Sequence, residues 1–180
     1  IFKHIQEHVD QASKDLADER GACPDAADYG YNERFSNKTA IAPTASISII
    51  CGGASPGVEP VAANSYTHKT LSGSFNVRNR YVVELLEKHG KNTEEVWSGI
   101  TTNQGSVSHL DFLTDLEKDV FKTAFELDQK WIIELSGDRT PFISQAQSIN
   151  LFVPADIHKR ELHKIHFDAW KKGLKSLYYC

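Results

Sequence analysis

Helical apolar patterns alternate with short apolar segments along this chain, and this alternation constrains its fold more than any other feature. Apolar residues recur at helical spacing over residues 1–20, and Gly21 with Pro24 ends that pattern. Residues 39–42 form a short apolar segment suited to a β-strand, which ends at Pro43. Because strands that alternate with helices are typical of α/β proteins, the sequence predicts an α/β architecture.

Helix start and stop signals mark four further helices downstream. Thr114 and Glu117 have the spacing of a capping box, and Gly173 follows the last helical pattern as a stop signal. Residues 142–153 have strand-like ends, and residues 175–179 resemble a short final strand. No internal repeat or linker divides the chain, so we predict a single domain. The predicted helices span residues 80–89, 92–104, 114–136 and 156–172.

The overall charge and hydropathy argue against two classes of partner. The formal net charge is −4 and Lys and Arg are scattered, so the sequence lacks the basic footprint that nucleic acids or anionic membranes require. No apolar run approaches the ~18–20 residues that a membrane span needs. We therefore predict no nucleic-acid partner and no membrane association.

The metal-binding residue types do not form a recognisable site. The three cysteines are widely spaced and fit neither a disulfide framework nor a C-x-x-C metal knuckle. His4 with His8 and His163 with His166 have helical spacing, but each pair lacks a third ligand. We predict no metal site and reduced thiols, with Cys51 as a small buried residue, as expected of a cytoplasmic protein.

Methionine is absent from all 180 residues, and the first residue is Ile1. A translated gene product normally starts with Met, and a soluble chain of this length normally contains a few more. We therefore expect this chain to be an internal piece of a longer polypeptide. Its residues are then expected to contain only part of the chemistry that the longer protein performs.

The segment after the first predicted strand, residues 44–60, is the richest in Ser, Thr, Gly and Pro. It begins in the run Pro43-Thr44-Ala45-Ser46-Ile47-Ser48, whose small and hydroxyl-bearing residues suit close approach of a phosphate. The same run also suits a plain turn, and no Walker motif follows it. Ile47, Ile49 and Ile50 favour a strand, which conflicts with the helix start that a phosphate site would use. Both interpretations stay open on these residues alone.

Two groups of side chains nearer the C-terminal end also have two interpretations each. Gln145, Gln147 and Asn150 are suited either to bind a polar ligand or to satisfy buried backbone groups. Tyr178 and Tyr179 are suited either to be ordinary strand aromatics, which face opposite ways on a regular strand, or to relay a proton and an electron. For the three amides the sequence favours the backbone-satisfying interpretation, whereas no sequence rule distinguishes the two interpretations of the tyrosine pair.

Five stretches of the sequence, taken together and in order, carry a family pattern. They are AIAPTAS at residues 40–46, the segment at 52–60 that ends in Val58-Glu59-Pro60, YTHKTLSGSF at 66–75, QAQSIN at 145–150 and GLKSLYY at 173–179. In order and spacing they resemble the large subunit of aerobic class I ribonucleotide reductase. The resemblance implies that residues 1–180 are a partial segment of the family's ten-stranded α/β barrel, with its last strands and the surrounding helices.

The resemblance implies a substrate role for the loop after the first strand. In the family, the loop matching residues 44–47 holds the diphosphate of a ribonucleoside diphosphate at the start of a short helix, which would override the strand propensity here. Ile47 stands where many members carry Thr, so one hydroxyl donor is missing. The implied substrate-binding residues are Pro43, Thr44, Ala45, Ser46 and Ile47.

The resemblance also implies a radical relay at the end of the chain. Tyr178 and Tyr179 match the family's stacked pair, which passes a radical from the small subunit to a cysteine by coupled proton and electron transfer. The cobalamin-dependent branch of the superfamily takes its radical from a bound cofactor and needs no such pair, so the pair favours class I. A phosphate-binding α/β module without redox activity is a further alternative, and it would not need the pair either.

Several elements of the family have no match in this sequence. The Asn-x-Cys-x-Glu finger loop, the reducing cysteine pair, the Cys-rich tail and the ATP-binding region are not found, so we expect the segment alone not to turn over. We expect it to bind no cofactor, since the family uses a metal and tyrosyl radical in the small subunit and nucleotide effectors bound elsewhere. The implied partners are the small subunit, thioredoxin or glutaredoxin, and a second large subunit in a homodimer. A naturally split gene, with two chains forming one barrel, is an alternative origin.

Overall fold

A computed structural model describes residues 1–71 and 73–180, and the contacts divide them into two units. The first unit comprises residues 1–43, 130–151 and 157–180, and the second comprises residues 44–129 and 152–156. None of the helices in this part of the chain combines the length and apolarity that crossing a bilayer requires. The elements are α1 (Phe2–Arg20), α2 (Pro24–Asp28), α3 (Ala45–Ile50), β1 (Ser65–Thr70), β2 (Gly73–Arg78), α4 (Arg80–Lys88), α5 (Glu94–Thr102), α6 (Asp115–Val120), α7 (Lys130–Arg139) and α8 (Lys159–Lys171), with 3-10 turns at Ala124–Glu126 and Thr140–Phe142.

The core of the first unit forms where α7 packs against α8. Burial of this apolar surface removes it from water, which is the main favourable term for holding the two helices together. The α8 helix begins at His158, whose ring nitrogen accepts the main-chain N–H of Arg160 at 3.1 Å, so the helix predicted at 156–172 is confirmed within a few residues. The core comprises Ile133, Leu151 and Ala169, with Ile165, Leu174 and Leu177 packed against them.

The segment that follows α2 is tied to α1 by polar contacts. Ser13 on α1 is buried, and its hydroxyl oxygen accepts the main-chain N–H of Arg34 at 3.1 Å. The ammonium of Lys38 contacts two carboxylates, that of Asp10 at 2.6 Å and that of Glu33 at 3.1 Å. These contacts hold the chain on α1 just before it enters the first extended segment.

Three extended segments of the first unit pair through main-chain hydrogen bonds. Ile41 and Gln147 form a parallel bridge, and the N–H of Tyr178 donates to the carbonyl of Ile149 at 2.9 Å. The segments predicted as strands at 39–42, 142–153 and 175–179 are therefore paired. Regular strands are confined to β1 and β2 in the described part of the chain, because each of these pairings extends over only a few residues.

A β-hairpin that the sequence pattern did not predict lies in the second unit. β1 pairs antiparallel with β2, from Ser65 opposite Arg78 to Thr70 opposite Gly73. The strands of the hairpin flank and include most of the family-like stretch at residues 66–75, of which Ser72 falls outside the described residues. The first four residues of β2 are all exposed, so the strand lacks the alternation of apolar and polar residues by which strands are recognised.

The core of the second unit is formed by α4, α5 and the loop that follows α5. The indole N–H of Trp97 donates to the side-chain carbonyl of Asn92 at 2.7 Å, which satisfies the polar atom of this buried ring. Thr93 caps α5 by accepting the N–H of Val96, so the helices predicted at 80–89 and 92–104 are confirmed. The buried residues are Val82, Leu86, Trp97, Ile100, Val107, Leu110 and Leu113.

The single helix predicted over residues 114–136 is wrong, since the structure divides it into α6, a 3-10 turn and α7. The predicted capping box at Thr114 and Glu117 is present and begins α6. A second capping box follows, in which the carboxylate of Glu126 accepts the N–H of Thr123 at 2.8 Å and its hydroxyl at 2.9 Å. This second box starts a new turn, so the helical period of the apolar residues does not continue as one helix.

Asn64 joins four segments of the second unit. Its buried side-chain amide donates to the carbonyls of Gly105 at 3.0 Å and Phe121 at 2.8 Å, and its side-chain oxygen accepts from Asn79 at 2.9 Å. Gly105 has φ +82°, and a Cβ on it would lie 2.4 Å from the Cβ of Ala63. Only glycine fits both this conformation and this close approach.

We expect Gly105→Ala to lower the free energy of unfolding by at least about 3 kcal/mol, because it adds a steric clash to the cost of positive φ. Gly53→Ala is the matched control, since Gly53 has φ +76° and nothing lies within 4 Å of the position that its added methyl group would take. The control is expected to lose only the about 1–2 kcal/mol of the left-handed conformation. Urea unfolding of both variants measures the difference, and equal losses would contradict the steric argument.

His89 and Glu117 link the end of α4 to the start of α6. The ring Nε2 of His89 lies 3.0 Å from the Glu117 carboxylate, which also accepts the main-chain N–H of Thr114 at 2.8 Å. Hydrogen bonds from His89, and then from the backbone and side chain of Thr114, lower the pKa of Glu117 from 4.5 to about 2. Each of these partners stabilises the carboxylate form over the carboxylic acid.

The contribution of Glu117 to stability is expected to vanish in acid. A carboxylate whose folded pKa is depressed stabilises the fold above its unfolded pKa of 4.5, and that stabilisation is lost as the pH falls toward 2. The difference in urea midpoint between the natural chain and Glu117→Gln should therefore be largest near neutral pH and shrink below pH 4.5. Glu95→Gln serves as an exposed control on α5. A difference that stays constant across this range would refute the linkage.

Candidate functional site

The loop before α3 has a strained conformation at Thr44. Thr44 has φ 52° and ψ 27°, in the left-handed region that a β-branched residue rarely adopts. Its hydroxyl oxygen accepts the main-chain N–H of Gly57 at 2.6 Å, so it holds the following loop and does not cap α3. Strained backbone of this kind persists where the surrounding structure enforces it, and such residues cluster at functional sites.

The residues after Thr44 form a short helix, as the family resemblance implied, and not the strand that propensity favoured. Ser48 is the buried residue of α3, and its hydroxyl donates to the carbonyl of Ala45 at 2.8 Å. Ile47 and Ile50 are exposed, so the apolar packing that gives isoleucine its strand preference is not made here. The first turn of α3 presents exposed residues whose N–H groups have no partner within the helix.

The predicted substrate-binding residues are adjacent in the chain but fall into both units. Thr44, Ala45, Ser46 and Ile47 belong to the second unit, where Thr44 is half-buried and the other three are exposed. Pro43 is exposed and is assigned to the first unit. The chemistry available at the start of α3 is that of small side chains, hydroxyl groups and main-chain N–H donors, which suits an anion.

Tyr178 and Tyr179 lie with their rings together. The ring centroids are 4.3 Å apart with an interplanar angle of 56°, whereas neighbours on a regular strand point to opposite faces. Both rings are partly exposed, at 51% for Tyr178 and 66% for Tyr179. A hydrogen bond and electrostatic interaction with Tyr179 raise the pKa of Tyr178 above its ordinary value of 10.0.

The polar side chain of Gln147 satisfies groups of the protein itself. Gln147 is buried, and its amide donates to the carbonyl of Ser136 and the hydroxyl of Thr140, each at 2.9 Å. Its oxygen accepts from the guanidinium of Arg139 at 3.0 Å. These contacts match the interpretation of Gln147 as a residue that satisfies buried polar groups.

Lys175 is a contributor to this region that the sequence pattern did not single out. Its ammonium donates to the main-chain carbonyls of Ile143 at 2.9 Å, Ser144 at 2.6 Å and Gln145 at 3.2 Å. The contact joins the start of the tyrosine segment to the start of the 145–151 segment. The one available signal was its position in the family-like stretch at residues 173–179.

A polar cavity of about 230 Å³ lies in the second unit between the hairpin and α5. Arg78 at its edge donates to the carboxylate of Glu94 at 2.6 Å and lies 4.9 Å from the ring centre of Trp97. Hydrogen bonding to Arg78 lowers the pKa of Glu94. Because the two charges already face each other, this cavity presents no clear site for an ionic ligand.

The cysteines and histidines do not assemble into a metal site within residues 1–71 and 73–180, where no three potential ligands cluster. All three cysteines are free. Cys51 is exposed, so its prediction as a buried residue is wrong, because it follows a helix whose isoleucines face solvent. Cys23 is half-buried and Cys180 is exposed.

Comparisons with known proteins agree on one family. Residues 7–180 match the family model for the barrel domain of ribonucleotide reductase. The ribonucleoside-diphosphate reductase large subunit of Invertebrate iridescent virus 6 is 50% identical over 99% of this chain and 19% of its own length. The alpha subunit of Chlamydia trachomatis serovar D is 37% identical over 83% of this chain and 14% of its own length.

A solved structure agrees with the sequence relatives. The alpha subunit of the Actinobacillus ureae class Id ribonucleotide reductase superimposes with a TM-score of 0.86 and 38% identity, over 99% of this chain and 33% of that one. The chain thus spans about a fifth of the viral relative and a third of the solved subunit. With a family model covering nearly all of its residues, the chain belongs to the ribonucleotide reductase barrel-domain family.

Proposed function

We propose that this chain forms the diphosphate-binding and radical-transfer part of the barrel of a ribonucleoside-diphosphate reductase large subunit. That enzyme reduces ribonucleoside diphosphates to deoxyribonucleoside diphosphates for DNA synthesis. The observation that carries the proposal is the contact between the rings of Tyr178 and Tyr179, 4.3 Å between centroids. Because both phenols are partly exposed, their contact contributes little to a hydrophobic core. Contact is, however, what the transfer of a proton and an electron between them requires.

The proposed relay moves one electron and one proton at each step. The phenol that is oxidised loses both and becomes a phenoxyl radical, while the phenoxyl that it reduces regains both and becomes a phenol. A phenol with the ordinary pKa of 10.0 already holds its proton at neutral pH, and the interaction with Tyr179 raises the pKa of Tyr178 further. The proton must therefore move together with the electron, and the hydrogen bond between the two phenols supplies its path.

The proposed diphosphate site is the turn formed by Thr44, Ala45, Ser46 and Ile47. Main-chain N–H groups at the start of a helix attract anions, because they have no partner within the helix and carry the positive end of its dipole. Thr44 contributes by its conformation, which its hydrogen bond to Gly57 stabilises. In this proposal Ile47 contributes only its N–H, since its side chain has no hydroxyl.

The remaining components of the reaction come from outside this segment in our proposal. The oxidant is the metal and tyrosyl radical of the reductase small subunit, and the reductant is thioredoxin or glutaredoxin. The large subunit acts as a homodimer in the cytoplasm, with ATP and deoxynucleotide effectors bound elsewhere in it. The names of the matched relatives support this assignment, since they are large or alpha subunits of the same enzyme.

Tyr179→Phe is expected to abolish turnover while leaving nucleotide affinity unchanged, because it removes one phenol oxygen and keeps the ring. The assay uses a chimaera in which this chain replaces the matching stretch of the solved class Id alpha subunit, together with that enzyme's small subunit. Tyr29→Phe, at a residue that is 81% exposed, is the matched control and should retain the activity of the unaltered chimaera. Substantial turnover by Tyr179→Phe would remove the relay assignment.

Thr44→Val is expected to weaken binding of a ribonucleoside diphosphate about tenfold, since one net hydrogen bond of ~1–1.5 kcal/mol that shapes the turn is lost. Thr44→Ser keeps the hydroxyl that accepts from Gly57 and should bind like the natural chain. Thr67→Val, on an exposed hairpin residue, controls for loss of a threonine hydroxyl elsewhere. Isothermal titration calorimetry of the chimaera measures the affinities. Equal affinity of Thr44→Val and Thr44→Ser would exclude a role for that hydroxyl.

A further inference from the structure

The alternation of side chains breaks between Leu177 and Tyr179. Leu177 packs against the core of the first unit, and Tyr178 points away from it with 51% of its surface exposed. On a regular extended segment Tyr179 would return to the side of Leu177. It is instead 66% exposed and contacts the ring of Tyr178.

The main-chain hydrogen bonds locate the irregularity opposite Asn150. The N–H of Tyr178 donates to the carbonyl of Ile149, and the N–H of Leu151 donates to the carbonyl of Tyr179, both at 2.9 Å. In a regular parallel ladder a single residue makes both of these bonds across from residue 150. Here two consecutive residues share them, and two residues opposite one is the arrangement of a β-bulge, which re-aims the side chains next to it.

The side chain of Asn150 accepts the main-chain N–H of Tyr179, which the bulge leaves without a main-chain partner. Its Oδ1 accepts the N–H of Tyr179 at 3.1 Å. A main-chain N–H without a partner would cost free energy, so this acceptor favours the bulged arrangement over a regular one. Asn150 itself lies directly opposite the two residues of the bulge, Tyr178 and Tyr179.

Lys175 anchors the same segment from its other end. Its ammonium donates to three successive carbonyls at residues 143–145, so moving the tyrosine segment along its neighbour would break all three contacts. With the start of the segment held by Lys175 and its end by Ile149 and Leu151, the extra residue has to be accommodated in between.

We propose that Asn150 is a positioning residue for the radical relay: its side-chain carbonyl holds the bulge that brings the Tyr178 and Tyr179 rings into contact. This inference rests on the proposed function of the tyrosine pair. Asn150 does not touch the transferred proton or electron in this proposal. It acts through the main chain of Tyr179, and a residue without a side-chain oxygen at position 150 would let the two rings separate.

The structural test compares Asn150→Ala, which removes the acceptor, with Asn150→Asp, which keeps an oxygen at the same place. Nuclear Overhauser effects between the two tyrosine rings are measured by NMR on the full chain. The pKa of Tyr178 is followed by ultraviolet titration. Asn150→Ala should lose the ring-to-ring effects, and the pKa of Tyr178 should fall toward 10.0, whereas Asn150→Asp should keep both signals. Asn103→Ala, which removes an exposed asparagine amide bonded to the carbonyl of Gly99, is the matched control.

The activity test uses the same variants in the chimaera. Asn150→Ala should lower kcat about tenfold or more with KM unchanged, since misplacement of reacting groups slows transfer without affecting substrate binding. Asn150→Asp should restore most of the activity. Tyr179→Phe tests the relay itself, so turnover by that variant would refute the proposed function. The ring contacts are measured without turnover and therefore test the role of Asn150 separately.

Two results would overturn the inference. Ring contacts that persist in Asn150→Ala would show that the bulge does not need this acceptor. Ring contacts that are lost in a folded Asn150→Asp chain would show that the oxygen is not what positions Tyr179. Where Asn150→Ala fails to fold by circular dichroism, the Asp variant decides alone, and preserved contacts in it support the assignment.

Discussion

The main-chain pairing of residues 145–151 is the constraint on which the first unit depends. An extended segment makes no hydrogen bonds within itself, so its buried N–H and carbonyl groups need partners from neighbouring segments. The first part of this segment bonds to the segment of Ile41, and the last part bonds to that of Tyr178. The buried side chains of Ile149 and Leu151 also fill the apolar interior around it. One neighbour continues along the chain into the proposed diphosphate turn, and the other carries the proposed relay.

The helices were predictable where their start and stop signals are local. α4, α5 and α8 follow from apolar period, caps and stops that lie within a few residues of each other. The error at residues 114–136 has a local cause as well, because Thr123 and Glu126 repeat the capping-box spacing of Thr114 and Glu117, and the apolar stripe concealed this second start. The hairpin was not predicted because it has no local signal. Its exposed second strand has no alternation to reveal it, and its position is set by contacts such as that of Asn64 with Gly105.

The residues of the proposed sites came from the family resemblance, and their local geometry could not be predicted from propensity or strand periodicity. The isoleucines after Thr44 favour a strand, yet that preference comes from packing on a sheet surface, and Ile47 and Ile50 are exposed on a short helix. Only the family resemblance indicated the helix. The contact between the two tyrosine rings was equally out of reach of strand periodicity. It depends on a hydrogen bond to Asn150, 29 positions earlier in the sequence, which no pattern within the last strand contains.

The Thr44 turn and the Tyr179 bulge, each within its own unit, share one structural feature. At Thr44 a left-handed conformation that costs about 1–3 kcal/mol is accompanied by a hydrogen bond from the N–H of Gly57 to the threonine hydroxyl. At Tyr179 a bulge removes an N–H from the ladder, and the side chain of Asn150 accepts it. In both places a side-chain oxygen satisfies a main-chain donor that regular structure would have paired with a carbonyl. The irregular geometry therefore depends on one side-chain oxygen at each place. We expect a substitution that removes this oxygen to change the local arrangement more than the fold around it.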